Sequence, residues 1–302
     1  MTPARAASPS TEAVDWFEVV VDVSEELHEI VVAALHASGS IGSWISDGGE
    51  VRGYYRLETG DPARAFAEAW RRLVETDPPA VAVGVVPSED WTRGWRESVR
   101  PVAVTPRLWV APPDAPPPEG WPDDAMVVRV MPGLGFGTGS HPTTRALLRW
   151  LAAEPEFDDA LDVGTGSGVL AIAAARLGAE RAIGLDLDPL ALENAAGNLR
   201  FNAVEARVHL VRGSVDAVDA RARFDRVLAN LDRTTLEALL PALASRCAPT
   251  GRLGIAGLLA GERGPIVERA LGTGLSLVDE EIADDEAAGE TWWSGWLAPE
   301  GR

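Results

Sequence analysis

The feature that most constrains this chain is Ala160-Leu161-Asp162-Val163-Gly164-Thr165-Gly166-Ser167-Gly168. An apolar run enters it and Asp162 closes the run. Three glycines follow at alternate positions, and an Ala-rich apolar stretch, Val169 to Leu177, leaves it. The local reading is a strand, a glycine turn and a helix. Glycine at these places lets the backbone take positive φ and lets a ligand come close to the main chain. The helix start behind the turn offers unpaired N–H groups.

The surrounding sequence repeats the alternation. Strand patterns at Met126–Val130, Ala182–Asp186, Val208–Val211, Phe224–Leu231 and Gly251–Leu259 are separated by helical patterns. The helices run through Trp150 and Leu151, from about Pro189 to Leu199, over Leu236–Cys247 and around Pro265–Leu271. Alternating strands and helices imply a doubly wound α/β sheet. Two closing strands, Leu275–Ile282 and Thr291–Leu297, follow with no helix between them. They imply an antiparallel hairpin at one edge.

The front of the chain reads differently. Residues 1–13 lack an apolar segment and read as a flexible tail without a secretory signal. From 14 to 87 the order is β-α-β-β-α-β, that of a small α+β ferredoxin-like domain. Its strands are Trp16–Val23, Ile41–Ser46, Val51–Leu57 and Ala80–Val86, with Asp47-Gly48-Gly49 as a hairpin signal. Ser24 stands where a cap would precede the first helix, and Asp61-Pro62 opens the second. Residues 88–122 read as a linker helix with Trp91 and Trp95 one turn apart, a strand over Val102–Ala111, and a proline-rich segment. Residues 123–302 form the remaining domain.

The net charge is −19, which argues against a phosphate-backbone partner. It suits a basic protein partner, or serves solubility alone. All 27 basic residues are arginine. A single cysteine, Cys247, rules out an intramolecular disulfide and fits a reducing compartment. No apolar run approaches the roughly 20 residues of a membrane span. No cluster of residues has metal-ligand spacing.

In open α/β sheets, ligands bind beyond the carboxyl ends of the strands at the switch point. Three such ends carry polar groups: Asp162 with Gly164, Asp186, and Asn230. Asp186 stands twenty residues after Gly166, the spacing at which an acid ending the next strand accepts hydrogen bonds from ribose hydroxyls. A dinucleotide site reads G-x-G-x-x-G and a P-loop needs a Lys-Ser/Thr pair; here the pattern is Asp-x-Gly-x-Gly-x-Gly. That pattern, with the edge hairpin, resembles the first motif and sheet of class I S-adenosylmethionine-dependent methyltransferases.

Three further places narrow the resemblance. Gly133-Leu-Gly-Phe-Gly-Thr-Gly-Ser-His-Pro-Thr-Thr144, then Asp162–Gly168, then Ala229-Asn230-Leu231 resemble the PrmA family, the methyltransferases of ribosomal protein L11. Asp90-Trp91 through Trp95 and Arg107-Leu108-Trp109 are similar to that family's domain junction, and the front domain to its substrate-recognition domain. The resemblance covers nearly the whole chain apart from the tail. It implies a cytoplasmic enzyme that moves methyl groups from S-adenosylmethionine to lysine side chains or the N-terminal amine of a large-subunit ribosomal protein. A relative acting on another protein or a small amine, motivated by Asp232 and the Trp292-Trp293-Ser-Gly-Trp296 end, is the alternative. A non-catalytic cofactor-binding module is a second one.

Carried over motif by motif, Thr144, Gly164, Gly166, Asp162, Asp186 and Asn230 line the cofactor site, with Asn230 also positioning the amine. His141 has two readings, a general base or a cap for the helix beginning at Pro142. His28, His36 and His209 read as solvated or packing residues. Asp232 departs from the aliphatic residue usual in the family after Asn-Leu. Gly213-Ser214 stands where many class I enzymes place an acid near the adenine, and Asp216 is a substitute for it.

Overall fold

The computed structural model describes residues 16–40, 42–45, 49–56, 59–74, 76–86, 100–116, 118, 121–122, 124–131, 139–154, 156–285 and 289–300. The tail, most of the Asp47-Gly48-Gly49 turn, the Trp91–Trp95 segment and residues 132–138 lie outside the described residues. The chain divides into two compact units, Met1–Ser98 and Val99–Arg302.

The first unit runs β1 (Trp16–Asp22), α1 (His28–Ala37), β2 (Gly42–Ile45), β3 (Glu50–Arg56), α2 (Pro62–Leu73) and β4 (Val81–Val86). The four strands form one sheet in the order β2-β3-β1-β4, antiparallel at every pairing. Alternation along β1 and β3 turns Val19, Val21, Val51 and Tyr55 inward, where they bury against Val31, Leu35, Phe66 and Trp70 of the helices. Asp61 caps α2 by accepting the Arg64 N–H at 3.1 Å. Ser24 does not cap α1 with its side chain: the short 3₁₀ turn Glu25–Leu27 intervenes, and the Ser24 carbonyl accepts the Leu27 N–H instead. His36 is exposed and bonds Ser43 Oγ at 3.0 Å.

The second unit opens with a three-stranded sheet of β5 (Val102–Ala103), β6 (Leu108–Ala111) and β7 (Met126–Arg129). The single strand expected over Val102–Ala111 is a hairpin, because Thr105 Oγ1 accepts the Arg107 and Leu108 N–H groups at 3.2 and 2.9 Å and turns the chain. β6 then pairs with β7 in parallel. The stretch read as a linker is therefore divided, with its part from Val102 onward built into the second unit.

The main sheet contains β8 (Asp159–Val163), β9 (Arg181–Asp186), β10 (Val208–Arg212), β11 (Phe224–Asn230), β12 (Cys247–Leu259), β13 (Leu275–Asp285) and β14 (Glu290–Pro299). Its order is β10-β9-β8-β11-β12-β14-β13, with only β14 and its neighbours antiparallel. The chain winds outward from β8 to β10 and returns to β11, so the switch point lies between β8 and β11. The helices are α3 (Pro142–Ala153), α4 (Val169–Leu177), α5 (Pro189–Asn202), α6 (Arg233–Arg246) and α7 (Arg263–Leu271). Helices α3, α4 and α5 bury Leu147, Leu148, Ile172, Ala173 and Leu199 on one face. On the other, α6 and α7 bury Leu236, Leu240, Leu243 and Ile266. Two of the tryptophans near the C-terminus belong to this core. Trp293 is fully buried and donates to Glu280, and Trp296 stacks on Trp150 at 5.5 Å and donates to Glu154.

Candidate functional site

The strands β9, β8 and β11 are neighbours. Adjacent strands lie about 4.8 Å apart, so their carboxyl ends present Asp186, the glycine turn and Asn230 along a sheet edge spanning roughly 10 Å, where open α/β sheets have their ligand crevice.

The turn is shaped by backbone conformation. Gly164, Gly166 and Gly168 have φ of 74°, 53° and 81°, in the left-handed region. A Cβ on Gly164 would run into the Leu231 side chain. The N–H groups of Gly164 and Thr165 both donate to the Leu185 carbonyl at 2.8 Å, locking the turn to β9. Asp186 completes that link. Its Oδ2 accepts the Gly166 N–H at 2.9 Å and its Oδ1 the Asp188 N–H at 3.0 Å. Each carboxylate oxygen keeps a lone pair for a hydroxyl donor.

Beneath the turn lies Asp162, 1% exposed. Its Oδ2 accepts the Thr165 hydroxyl at 2.6 Å and the Ala171 N–H at 3.3 Å. Its Oδ1 is buried with no hydrogen-bond partner among the described residues. Burial pushes this carboxyl up to about 7, against the pull of Thr165 and Ala171. A buried acid with an unmatched oxygen under a nucleoside-type turn fits a cationic or hydrogen-donating ligand group.

On the other side of the switch point, Asn230 Nδ2 donates to Thr144 Oγ1 at 3.1 Å, joining residues far apart in sequence. Thr144 is buried in the first turn of α3 and Asn230 is half-buried at the end of β11. Gly257, at φ 89°, leaves room behind the amide, since a Cβ there would stand 2.9 Å from Asn230 Oδ1.

His141 is the N-cap of α3. Its Nδ1 bonds Thr143 Oγ1 at 2.6 Å and faces the Thr143 N–H at 3.4 Å. Nε2 points toward Asp285 at 3.9 Å, and the ring meets Trp292 edge-on at 4.6 Å. Burial lowers its pKa, opposed by the carboxylates of Asp285 and Glu290. Asp232 does not face the crevice as a free carboxylate. It caps α6, accepting the Thr235 N–H and hydroxyl at 3.0 and 2.6 Å, and those bonds hold its carboxyl below the ordinary range. Asp216 is exposed in a 3₁₀ turn after β10, and His209 is exposed on that edge strand. Burial pushes the Cys247 thiol up to about 12, so it is an inert core residue.

The structure thus joins Gly166 to Asp186, Asp162 to Thr165, and Thr144 to Asn230. The sequence reading missed Thr165, Gly257 and the paired Asn198 and Asn202 of α5. A Thr three residues after the acid was a usable signal; the others need the fold to reveal their neighbours.

A seven-stranded sheet in this order, with a glycine turn after its first strand and an acid ending the second, defines a class I methyltransferase. The chain belongs to the ribosomal protein L11 methyltransferase (PrmA) family, whose model matches residues 15–288. It is 40% identical over 219 residues to the ribosomal protein L11 methyltransferase of Stenotrophomonas maltophilia (strain K279a), covering 70% of this chain and 67% of that one. It is 33% identical over 273 residues to that of Janthinobacterium sp. (strain Marseille), covering 81% and 86%. A crystal structure of ribosomal protein L11 methylase from Lactobacillus delbrueckii subsp. bulgaricus superposes with a TM-score of 0.58 at 26% identity, over 67% of this chain and all of that one.

Proposed function

We propose that this chain uses S-adenosylmethionine to methylate amino groups, lysine side chains or the N-terminal amine, of ribosomal protein L11. The carrying observation is the hydrogen-bonded Thr144–Asn230 pair beside the glycine turn and Asp186 at one switch point. Asp186 would hold ribose hydroxyls, Gly164 and Gly166 would let the ligand approach the main chain, and Asp162 would balance positive charge from below. When bound, S-adenosylmethionine supplies a methyl group already activated by its sulfonium.

Thr144 and Asn230 do the orienting. Asn230 commits one amide hydrogen to Thr144 Oγ1, and its Oδ1 would accept an N–H from the incoming amine. A lysine of pKa about 10.4 is some three units from neutral at physiological pH, a cost of about 4 kcal/mol. Orientation in a closed site supplies roughly 7–11 kcal/mol, enough to offset it without a dedicated base. His141 spends Nδ1 on capping, which supports a positioning role. The front unit, with its β-α-β-β-α-β order, is assigned to substrate recognition in the manner of a ferredoxin-like domain. A net charge of −19 suits a basic ribosomal protein. Among the described residues no helix is long and apolar enough to cross a membrane. The cytoplasm is the setting this substrate implies.

The test is transfer of a labelled methyl group from the cofactor to purified ribosomal protein L11, followed by peptide mapping. Label on lysine or N-terminal peptides is the expected result. Label confined to another protein in a lysate overturns the substrate, and label on nothing overturns the transfer.

A further inference from the structure

Helix α5 carries two buried amides one turn apart, Asn198 and Asn202, 0% and 4% exposed. Asparagine is a poor interior helix residue, and a buried amide left unpaired costs about 1–3 kcal/mol. Both are paired instead with the backbone where β7 ends. Asn202 Oδ1 accepts the Arg129 N–H at 2.8 Å, and its Nδ2 donates to the Arg129 carbonyl at 2.6 Å and the Asn198 carbonyl at 2.8 Å. Asn198 Oδ1 accepts the Met131 N–H at 2.8 Å. Four helical residues rise about 6.0 Å and two strand residues about 6.6 Å, so the amides match alternate strand residues. The helix acts here as a neighbouring strand would.

The two amides differ in one respect. Asn198 Nδ2 also donates to the Ser167 carbonyl at 2.9 Å, and to Asn194 Oδ1 at 3.3 Å. Ser167 lies between Gly166 and Gly168, both left-handed, and Gly168 begins α4 with no side-chain cap. Gly168, left-handed and without a Cβ, resists rotation of the Ser167–Gly168 peptide less than another residue would, so the groups that hold that peptide set its orientation. The Gly168 N–H is held by the Thr165 carbonyl at 2.8 Å, and the Ser167 carbonyl by Asn198.

We propose that Asn198 is a positioning residue for the cofactor: by fixing the Ser167 carbonyl it holds the glycine turn in its binding shape, a task Asn202 does not share. This rests on the cofactor reading above. Two variants of the full chain separate binding from folding. Asn198→Asp keeps the acceptor for Met131 but sets a carboxylate against the Ser167 carbonyl. Asn202→Asp makes the matching change one turn away. Calorimetry with S-adenosylhomocysteine at pH 8, beside melting temperatures, is the measurement. Asn198→Asp is expected to weaken binding about tenfold, as loss of one buried hydrogen bond does, and to raise the cofactor KM while kcat stays within about twofold. Asn202→Asp is expected to lower the melting temperature comparably and leave affinity within about twofold. At pH 5.5 the deficit of Asn198→Asp relative to wild type should shrink, because a protonated carboxyl can again donate to Ser167. Affinity unchanged in Asn198→Asp, or lost equally in both variants at equal melting temperature, overturns the assignment. Failure of the wild type to bind overturns the cofactor reading and the inference with it.

Discussion

The two sides of the crevice are built by different means. On the β8–β9 side the surface is a main-chain turn, three left-handed glycines with two N–H groups on the Leu185 carbonyl, braced from behind by the Asp186 and Asn198 side chains. On the β11–α3 side it comes from side chains, Asn230 on Thr144 and His141 on Thr143. Backbone geometry suits a ligand that is the same in every turnover, because it is rigid before the ligand arrives. A pair of polar side chains suits an acceptor group that must be oriented and then released. Changes on the first side should therefore appear in cofactor affinity, and changes on the second in turnover.

The largest effect expected is from Asp186→Ala. It removes two charge-assisted bonds to the turn and to Asp188, each worth about 1.5–3 kcal/mol, as well as the group assigned to the ribose. Calorimetric affinity for S-adenosylhomocysteine should fall by about a thousandfold or more. Affinity unchanged would break the comparison at its root.

Asp162 sharpens it through pH. Its carboxyl is raised from 3.8 to about 7, so the folded state holds this proton more tightly than the unfolded chain does. The stabilisation is fully present below the unfolded carboxyl pKa and is lost as pH rises through about 7. Without ligand, the wild type should lose stability between pH 5 and pH 8, by of order 3 kcal/mol. Asp162→Asn, which cannot titrate, should lack that slope in chemical denaturation. Parallel slopes in the two proteins would show that Asp162 is ionised throughout.

The same contrast decides what could be read from sequence. The glycine turn was legible because left-handed backbone demands glycine at fixed spacing, and Asp186 because strand and helix lengths place it twenty residues on. The alternation of strands and helices, and the closing hairpin, were legible for the same local reasons. Asn230 was legible only as a polar strand end and Thr144 only through resemblance, since nothing local says that two polar residues on separate elements will meet. Asn198 left no trace because its distant partners, the Met131 N–H and the Ser167 carbonyl, are backbone groups, which carry no residue identity. Thr105 split an expected strand because one hydroxyl outweighed an apolar pattern. Asp232 was legible only as a departure from the family pattern; its role as the cap of α6 needed the fold.

Asn230→Ala tests the side-chain half. It removes the amide and leaves the buried Thr144 hydroxyl without this donor, for a loss of about 2 kcal/mol, or some thirtyfold in kcat. Cofactor affinity should change less than about fivefold if the backbone half is independent. Equal losses in affinity and turnover would mean that Asn230 holds the cofactor rather than the amine.

The smallest effect expected is at His141, and it discriminates between its two readings. The imidazole caps α3 through Nδ1, and burial lowers its pKa, which favours the neutral ring. Action as a base through Nε2, which faces Asp285, requires the other tautomer, with the proton on Nδ1 and donated to Thr143 Oγ1. Asparagine is among the best N-caps and has no basic nitrogen. His141→Asn should therefore keep the start of α3 within about 0.5 kcal/mol, whereas His141→Ala should cost about 1 kcal/mol. If the ring only caps, kcat of His141→Asn stays within about tenfold of wild type, because lost edge-on packing on Trp292 is worth about 0.5–1.5 kcal/mol. General acid–base catalysis contributes about 10²–10⁴-fold, so a base could not be removed so cheaply. A fall of a hundredfold or more in His141→Asn, with melting temperature and cofactor affinity intact, would transfer His141 from scaffold to chemistry. The acceptor side would then do more than orient the amine.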